Sequence, residues 1–342
     1  MRVLVMGGGV VGVTTAYQLQ QDGHEVVLLE RHPDVAEETS WGNAGMIAPG
    51  HSFVWSSPAA PGILLKSLYA KNQALRFRPS LDPALWRWSW RFLRQCTNAK
   101  ARRNTLRVHQ IAAYSQQVLH RTLATEPLEY DRNTRGILYC HREPAALAAG
   151  VAHMQLLAED GQEIRVLDRA QVAALEPALG AAGETIAGAI HCPTDETGDC
   201  NKFTRALAAR CTARGAEFAT GVTITGIEAA GDRIVQVNTS RGPFRADAYV
   251  MALGCQSTAL ARPLGIDLPV YPIKGYSLTV PVGNHRAPPT IACIDEQNLV
   301  AITSFGARIR VTATAEFAGY DKSHRPRDFA HMTRVARGLY PD

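Results

Sequence analysis

The first thirty residues alternate between apolar stretches and a glycine-rich turn. RVLVM (2–6) and HEVVLLE (24–30) are short and almost wholly apolar, as expected of buried strands in a parallel sheet. Between them, GGGVVG (7–12) is followed by VTTAYQLQQDG (13–23), which has helical spacing and ends in a glycine, a typical helix terminator. Strand, glycine turn, helix and strand in so short a span predict the βαβ unit of a doubly wound sheet.

The pattern changes several times along the rest of the chain. Residues 58–127 are mostly helical and basic, and residues 143–160 and 201–214 each have the spacing of one helix. Residues 268–317 form a series of short strand-like stretches. Blocks with β and α elements therefore flank helical and strand-rich blocks. This order favours a nucleotide domain built from several segments, with a substrate domain inserted into it.

Composition places the chain among ordinary globular proteins. Of its 342 residues, 46% are hydrophobic and 20% are charged, and 36 Lys and Arg against 31 Asp and Glu give a net charge of +5. This net charge is small for a chain of this length, whereas a nucleic-acid binder carries a dense basic stripe. We therefore expect no nucleic-acid partner. No apolar run approaches the ~20 residues of a membrane span, and the N-terminus lacks the features of a signal peptide.

The seven cysteines are scattered along the chain and form no C-x-x-C pair. An odd number of thiols favours a reducing, cytoplasmic setting over a disulfide framework. His191, Cys192 and Cys200 lie close together in sequence, but their spacing matches no zinc pattern. We therefore expect no metal site.

Gly7, Gly9 and Gly12 form a G-x-G-x-x-G turn between the first strand and the helix. Gly7 permits the tight turn, Gly9 lets the backbone approach a pyrophosphate, and Gly12 lets the helix pack closely on the sheet. The N–H groups at the start of the helix can then bind the anion. Glu30 ends the second strand, where an acid can bond a ribose hydroxyl and disfavours a 2′-phosphate. These features predict a dinucleotide site; the alternative is a turn that serves packing alone.

TSWGNAGMIAPG (39–50) is rich in glycine and carries no charge, which is unusual for a surface loop. The glycine fingerprint itself leaves NAD and FAD open. A neutral segment of small residues can run along a pyrophosphate and reach a flavin ring without clashing, and Ser40 and Asn43 can add hydrogen bonds. The segment therefore favours FAD. The alternative is a packed loop with no chemical role.

Seven stretches spread over residues 1 to about 321 are jointly more specific than the glycine turn. The chain resembles the D-amino acid oxidase-type superfamily of FAD-dependent flavoproteins, and within it most resembles the bacterial D-amino acid dehydrogenases (small subunit). The matching stretches are MRVLVMGGGVVGV, GHEVVLLER, ETSWGNAGMIAPG, PTDETGDCNKFT, ADAYVMALG, LPVYPIKGYSLT and ARIRVTATAEFAGYD.

The resemblance implies both a fold and a reaction. The fold is α/β (α+β, two-domain), with a Rossmann-type FAD-binding domain over residues 1–57 and 143–262 and an antiparallel-sheet substrate domain over residues 58–142 and 263–342. The reaction is oxidation of a D-amino acid by hydride transfer from Cα to flavin N5, after which water converts the imino acid to a 2-oxo acid and ammonia. The electrons would pass to the quinone pool or another non-oxygen acceptor, such as an electron-transfer protein.

By match to the motifs of the family, the FAD contacts come from three regions. The glycine turn and the end of the second strand would hold the adenosine and the pyrophosphate, the neutral segment would line the pyrophosphate and the flavin, and two later positions would add backbone contacts. The expected cofactor-binding residues are Val3, Gly7, Gly8, Gly9, Val10, Val11, Gly12, Glu30, Arg31, Ser40, Asn43, Ala44, Gly45, Met46, Val222, Ala252, Leu253 and Gly254.

No catalytic residue is evident, since hydride transfer to a flavin needs an oriented substrate rather than a catalytic triad. The candidates for the substrate face are Tyr276 and Tyr271, on either side of Lys274, and His51, which follows the neutral segment together with Ser52. The alternative for the two tyrosines is a place in the core or at the rim of a sheet.

The stretch PTDETGD (193–199) contains three acidic residues just before a predicted helix. We interpret Asp195, Glu196, Thr197 and Asp199 as a turn that caps the helix beginning near residue 201. In this interpretation their role is structural.

WRWSWRFLRQ (86–95) combines aromatic residues with arginines, and Trp86 and Trp90 lie four residues apart. A helix of this kind can rest on a membrane surface. Because members of the resembled family pass electrons to membrane quinones, one expectation is a cytoplasmic protein in peripheral contact with the inner face of the bacterial cell membrane. The favoured alternative is a helix packed on the substrate domain.

The resembled family continues beyond the position of Asp342. Its members add a strand, a glycine-rich turn and a helix, which contact the isoalloxazine and supply an arginine for the substrate carboxylate. Without them, we expect weak FAD binding and little turnover. Three alternatives stay open: a secondary-amine substrate such as D-hydroxyproline or a sarcosine-like compound, a truncated non-catalytic nucleotide-binding remnant, and an NAD-dependent dehydrogenase, which the neutral segment and the strand-rich substrate domain disfavour.

Overall fold

The computed structural model describes residues 1–67, 75–180 and 186–341. The chain divides into two compact units. The first consists of Met1–Asn43, Leu128–Tyr130 and Asp199–Tyr271, and the second of Ala44–Pro127, Asp131–Gly198 and Pro272–Asp342. This division differs from the predicted domain boundaries: residues 44–57 and 143–198 belong to the second unit, and residues 128–130 and 263–271 belong to the first. Residues 68–74 of the predicted helical block lie outside the described residues.

The first unit begins with the βαβ unit and continues, much later in the chain, with a helix and further strands. Its helices are α1 (Val10–Gln21), α2 (Thr39–Gly42), α9 (Cys200–Ala213) and α10 (Ser257–Ala261). Its strands are β1 (Arg2–Met6), β2 (Glu25–Leu29), β9 (Glu217–Ala219), β10 (Ile224–Ala230), β11 (Arg233–Thr239), β12 (Gly242–Phe244) and β13 (Ala248–Met251). Short 3₁₀ turns, Gly254–Gln256 and Arg262–Leu264, flank α10.

Four parallel strands form the central sheet of this unit, in the order β13-β1-β2-β9. Val3 of β1 lies opposite Val26 on one side and Ala248 on the other. Helix α1 packs against β1, β2 and α9. Strands β10, β11 and β12 form a separate antiparallel sheet, whose Val237 packs with Leu4 of β1. The predicted βαβ unit is therefore confirmed.

The second unit contains most of the helices and one large sheet. Its helices are α3 (Ala60–Ser67), α4 (Pro83–Leu93), α5 (Asn98–Thr125), α6 (Pro144–Glu159), α7 (Arg169–Leu175), α8 (Pro177–Gly180) and α11 (Ala330–Leu339). Its strands are β3 (Met46–Ile47), β4 (Leu75–Phe77), β5 (Ile137–His141), β6 (Arg165–Asp168), β7 (Gly188–Cys192), β8 (Glu196–Thr197), β14 (Lys274–Pro281), β15 (Ala292–Asp295), β16 (Val300–Phe305) and β17 (Arg308–Phe317). Two 3₁₀ turns are Pro49–His51 and Pro326–Phe329.

The large sheet has the strand order β14-β17-β16-β15-β5-β7-β6, and β4 pairs with β17. Most neighbours are antiparallel, as expected of the substrate domain, but the β15–β5 and β17–β4 pairs are parallel. Successive residues of a strand point to opposite faces. Leu138 accordingly packs towards the face that carries Leu339 of α11, while Tyr139 lies with Met154 of α6 on the other.

Strand pairing explains why residues 143–198 join the second unit. Strand β7 is buried along its whole length between β5 and β6, and α6 packs on β5 and β7. Residues 44–57 join it in part because β3 pairs with β8. The neutral segment 39–50 is therefore not one loop. It consists of α2, β3 and the start of the turn at Pro49–His51, and it passes from the first unit to the second after Asn43.

Candidate functional site

The glycine turn after β1 is closed by backbone contacts that leave no room for side chains. Gly7 has a positive φ of 109°, and a Cβ atom there would lie 2.6 Å from the carbonyl oxygen of Ala252. A Cβ at Gly12 would lie 1.8 Å from the carbonyl oxygen of Gly7. Both predicted packing roles are thus visible: Gly7 allows the turn, and Gly12 lets α1 approach it.

The first turn of α1 faces the hydroxyl of Ser40. The backbone N–H of Val10 donates to Ser40 Oγ at 3.0 Å, whereas Gly9, at the N-cap, offers no side chain. Val11 is exposed. The start of the helix therefore keeps the partial positive charge that favours an anion, with a bare backbone at Gly9.

The carboxylate of Glu30 holds the other side of the turn. Its Oε2 accepts a hydrogen bond from Gly8 N at 2.8 Å, and its Oε1 accepts one from His32 N at 2.9 Å. The N–H of Val222 donates to the carbonyl oxygen of Glu30 at 2.8 Å. Arg31, beside it, pairs with Glu38. Glu30 thus shapes the turn through both of its carboxylate oxygens.

The remaining predicted cofactor residues of the first unit lie in β1, after β13 and after α2. Val3 is buried in β1, and the N–H of Ala252 donates to the carbonyl oxygen of Met6 at the end of that strand. Gly254 has a φ of 55° and begins the 3₁₀ turn that follows Leu253. Asn43 donates from Nδ2 to the carbonyl oxygen of Thr39.

Ala44, Gly45 and Met46 belong to the second unit, where they are held by β16 and β8. The hydroxyl of Thr303 donates to the carbonyl oxygen of Ala44 at 2.9 Å. Gly45 has a φ of 66°, and a Cβ there would lie 2.3 Å from the carbonyl oxygen of Gly198 and 2.5 Å from the ring of Phe305. Small residues are therefore required in this segment by its protein neighbours.

The stretch Asp195–Gly198 lies directly against this segment. The N–H of Gly198 donates to the carbonyl oxygen of Gly45 at 2.8 Å, and Asp195 Oδ1 accepts from Gly50 N at 3.0 Å. The predicted helix cap is confirmed for Asp199, whose carboxylate accepts from the N–H groups of Asn201 and Lys202. It was wrong for residues 195–197, which do not cap α9 but hold the neutral segment.

His51 lies at the end of the neutral segment, in the 3₁₀ turn. Its ring stacks on that of Tyr139, with centroids 5.3 Å apart, and its Nε2 lies 3.2 Å from Glu296 Oε1. Burial lowers the pKa of His51. The hydrogen bond with Glu296 and the charge of Asp195 raise it by more, so the pKa of His51 lies above its ordinary value. Tyr139 and Glu296, which the sequence did not single out, therefore define the surroundings of His51.

The hydroxyl of Tyr139 donates to Asp195 Oδ2 at 2.6 Å. Burial raises the pKa of the Asp195 carboxyl to about 6, despite the hydrogen bonds from Tyr139 and Gly50 that lower it. Burial also raises the pKa of the Tyr139 hydroxyl well above its usual range. A strand tyrosine and an acid 56 residues further on carry no joint signal in the sequence, which is why this pair was missed.

The two tyrosine candidates fall in different compact units. Tyr276, in β14 of the second unit, is buried; its hydroxyl donates to Glu316 Oε2 and its ring makes an edge contact with Phe329. Lys274 lies 3.2 Å from the same carboxylate. Tyr271 ends the first unit and is partly exposed. Ser52 is buried and donates to the carbonyl oxygen of Pro49.

Helix α4 presents two indole rings to solvent. Trp86 and Trp90 are 51% and 65% exposed, whereas Trp88 stacks on Phe92 and contacts Phe317. Across residues 1–67, 75–180 and 186–341, no helix combines the length and the apolar character needed to cross a bilayer. Within the same ranges, no group of three His, Cys, Asp or Glu side chains has metal-binding geometry, and the seven cysteines are free thiols.

Comparison with known proteins defines the class of this chain. Residues 2–342 match the family described as DAO, FAD dependent oxidoreductase, so the chain belongs to that family. It is 42% identical to D-amino acid dehydrogenase 2 of Mesorhizobium japonicum over 342 residues, covering 100% of this chain and 82% of the relative. It is likewise 42% identical to D-amino acid dehydrogenase of Vibrio cholerae, covering 100% of this chain and 81% of the relative.

Solved structures show the same fold at low identity. Glycine oxidase from Geobacillus kaustophilus has a TM-score of 0.73 and 20% identity, covering 100% of this chain and 79% of that one. Reduced L-alpha-glycerophosphate oxidase from Mycoplasma pneumoniae, with FAD bound, has a TM-score of 0.69 and 16% identity, covering 100% and 79%. The predicted fold class and FAD as the cofactor are thereby confirmed.

The first unit fits this cofactor. A turn without side chains at the N-terminus of α1, with an acid at the end of β2, is the arrangement that binds a dinucleotide pyrophosphate and its ribose. Of the predicted FAD contacts, Glu30, Ser40 and Ala252 lie against this turn or the start of α1. Val3 lies near the other end of β1, and Ala44, Gly45 and Met46 belong to the second unit.

Proposed function

We propose that this chain catalyses the FAD-dependent oxidative deamination of D-amino acids to 2-oxo acids and ammonia. The observation that carries the proposal is the glycine turn of Gly7–Gly12, shaped by Glu30, in a chain that is 42% identical over its full length to a D-amino acid dehydrogenase. Bound FAD would supply the hydride acceptor for oxidation at the substrate Cα, and the electrons would go on to a quinone or another non-oxygen acceptor, such as an electron-transfer protein.

The residues of the first unit bind and orient the cofactor. The N–H groups at the start of α1 hold the pyrophosphate, helped by a bare backbone at Gly9. Glu30 has a double role, since a carboxylate has about four lone-pair sites and two N–H groups use only part of them, leaving capacity for a ribose hydroxyl. Arg31, Val222, Ala252 and Gly254 support this end through packing and backbone contacts.

Apart from Tyr271, the candidates for the flavin and the substrate face in residues 44–51 and 272–342 belong to the second unit. Ala44, Gly45 and Met46 are uncharged and are proposed to line the flavin; a Cβ at Gly45 would collide with Phe305, so this position requires glycine. Of the substrate-face candidates, His51 keeps an exposed ring edge next to Glu296. The hydroxyl of Tyr276 is engaged by Glu316, so its role is to support the sheet. Tyr271 remains a candidate because it is partly exposed.

The experiment is an absorbance spectrum followed by a substrate panel. The purified chain is expected to show a bound-flavin spectrum and to reduce an artificial electron-acceptor dye with D-alanine and other D-amino acids, but not with L-alanine. The Gly12→Ala variant, in which the added Cβ disrupts the cofactor turn, serves as the control that should bind no flavin. A protein that binds no flavin, or one that binds it and is reduced only by sarcosine or D-hydroxyproline, would contradict the proposed substrate class.

The exposed face of α4 supports a cytoplasmic protein in peripheral contact with the inner face of the cell membrane. Trp86 and Trp90 project one helical turn apart, and Arg87 and Arg94 are exposed beside them. Indole rings settle at the boundary between lipid and water, and arginines attract anionic headgroups. A site at the membrane would bring the reduced cofactor close to a quinone acceptor.

A further inference from the structure

Residues 44–50 are named the flavin-lining segment because Ala44, Gly45 and Met46 are proposed to line the flavin. The segment has no charged side chain, and four of its seven residues are Gly or Ala, which have no side-chain hydrogen-bonding group. Its backbone is instead held from outside, at both ends. Thr303 donates to the carbonyl oxygen of Ala44 at one end, and Asp195 accepts from the N–H of Gly50 at the other. Between these ends, the segment pairs with Glu196 and Thr197 in a short antiparallel ladder. Its shape therefore depends on these anchors.

Asp195 holds the segment through a buried side-chain carboxylate, whereas Glu196 and Thr197 pair with it through their backbones. Its exposed fraction is 0%, and its oxygens are divided between two donors: Oδ1 accepts from Gly50 N at 3.0 Å and Oδ2 from the Tyr139 hydroxyl at 2.6 Å. Burying a carboxylate is costly unless hydrogen bonds compensate. Through these two hydrogen bonds, the Asp195 carboxylate links Gly50 to Tyr139 of β5, an inner strand of the large sheet.

The backbone of Gly50 packs tightly against Asp195 and Cys192. A Cβ at Gly50 would lie 2.6 Å from Cys192 Sγ and 2.7 Å from Asp195 Oδ2. The backbone can thus approach Asp195 only because residue 50 has no side chain. His51, the next residue, then stacks on the same Tyr139 ring that donates to Asp195.

We propose that Asp195 is a positioning residue, which fixes the backbone of the flavin-lining segment and the start of the His51 turn through the Gly50 amide and the Tyr139 hydroxyl. Its consequence for the cofactor rests on the proposed function; its effect on the backbone does not. Asp195 acts through the segment and needs no contact with FAD or substrate.

Two variants of Asp195 separate its hydrogen bonds from its charge. Asp195→Asn keeps an acceptor for Gly50 N, and its amide can donate to the oxygen of Tyr139. Asp195→Ala leaves both donors buried without a partner. The matched control is Glu176→Ala, because Glu176 is also a fully buried carboxylate that accepts backbone hydrogen bonds, from Thr290 and Ile291, outside the segment.

Two measurements on the full chain test the proposal. The first is hydrogen–deuterium exchange of peptides covering residues 44–51 without added cofactor. The second is titration with FAD, followed by quenching of flavin fluorescence and by the absorbance bands of the bound flavin. Asp195→Ala is expected to speed exchange in the segment and weaken FAD binding by about tenfold or more each, as expected when buried donors lose their acceptor. Asp195→Asn should stay within about threefold of the natural protein, and Glu176→Ala should leave exchange in the segment unchanged.

The outcomes separate the inference from the function on which it builds. Unchanged exchange at residues 44–51 in Asp195→Ala would overturn the positioning role, as would equal losses of FAD affinity in Asp195→Ala and Glu176→Ala. If the natural protein binds no FAD, the proposed function fails, while faster exchange in Asp195→Ala alone still establishes that Asp195 fixes the segment.

Discussion

The carboxylate of Glu30 accepts a hydrogen bond from the backbone N–H of Gly8 at 2.8 Å, across 22 residues of sequence. A Cβ at Gly8 would lie 2.9 Å from the same oxygen. The acid at the end of β2 and the glycine after β1 are therefore fitted to each other before any cofactor arrives. One residue thus serves both the fold and the proposed ribose contact.

Replacing Glu30 should reveal both of these roles. Glu30→Ala leaves the N–H groups of Gly8 and His32 without their acceptor, which we expect to cost about 1–3 kcal/mol in the free energy of unfolding. Glu30→Gln keeps one acceptor oxygen and should lose less. Urea unfolding measures the difference, and FAD titration of both variants measures the effect on binding. If Glu30→Ala is as stable as the natural protein, the hydrogen bonds of Glu30 do not stabilise the turn.

Gly12→Ala should disable the cofactor turn. Because its Cβ would lie 1.8 Å from the carbonyl oxygen of Gly7, either α1 or the turn must move. We expect the free energy of unfolding to fall by about 1–3 kcal/mol, together with loss of FAD binding. The control is Gly338→Ala in α11, where no atom lies within 4 Å of the added Cβ. Helix propensity predicts that this control gains about 0.5–1 kcal/mol. Equal unfolding midpoints for the two variants would contradict the steric argument.

Asp195 should make stability fall with rising pH. Its pKa is about 6 in the folded protein against 3.8 in an unfolded chain, so the native state binds the proton more tightly, and the carboxyl costs stability as pH rises from about 4 to 6. The full effect is about 3 kcal/mol. Other titratable groups surround this carboxyl, and the comparison must therefore be made between variants: the neighbours are His51, His109, Tyr139, Cys192 and Glu296.

The measurement is urea unfolding of the natural protein and of Asp195→Asn across that pH range. The Asn variant cannot titrate at this position, so the difference in unfolding free energy between the two proteins should grow in favour of Asn as pH rises. A difference that stays constant with pH would show that Asp195 is ionised in the native state at its ordinary pKa.

Glu296 should set the protonation of His51. Removing the charge with Glu296→Gln takes away the hydrogen bond and the charge that raise the pKa of His51, so that pKa should fall. Because the pKa is raised in the folded state, the pair adds stability below about pH 6.5 that fades as the ring deprotonates. NMR titration of the His51 ring protons is the direct measurement. Glu159→Gln, which removes a carboxylate near Arg102 instead, should leave the His51 titration where it was.

The aromatic face of α4 should govern membrane contact. Replacing both Trp86 and Trp90 with Ser is expected to reduce co-sedimentation with vesicles of anionic phospholipid by about tenfold, because each indole contributes apolar area at the interface. Val166→Ser, which removes an equally exposed apolar side chain from β6, is the control. If the double variant and the control bind vesicles alike, α4 is not the contact surface.

Local features could be predicted from the sequence because they depend on neighbours along the chain. The βαβ unit, the glycine turn and helices such as α6 follow from hydrophobic spacing and from glycine and proline positions. The class of protein and its cofactor followed from several motifs taken together. Ser40 was predicted to add a hydrogen bond in the cofactor site; in the structure its hydroxyl accepts from Val10 N in the first turn of α1, and its contact with FAD stays a prediction.

What the sequence could not provide depends on long-range pairing. Strands β6 and β7 look like parts of a helix–strand alternation, and only their hydrogen bonds to β5 place them in the second unit. The Asp195–Tyr139 contact has the same origin, because it joins residues on different elements that share no local pattern. Asp195 also sits in a stretch that resembles an ordinary helix cap, and Asp199 alone fulfils that role.

The position of β1 in the sheet has a consequence for folding during translation. Strand β1 pairs with β13, whose register joins Val5 to Val250, and the carbonyl of Ala252 closes the glycine turn. Synthesis proceeds from the N-terminus, so the ribosome makes β1 and the cofactor turn first. Strand β13, which pairs with β1, emerges some 245 residues later. The nascent chain must therefore carry one open edge of β1 through most of translation, so chaperone dependence during synthesis should be greatest before β13 appears.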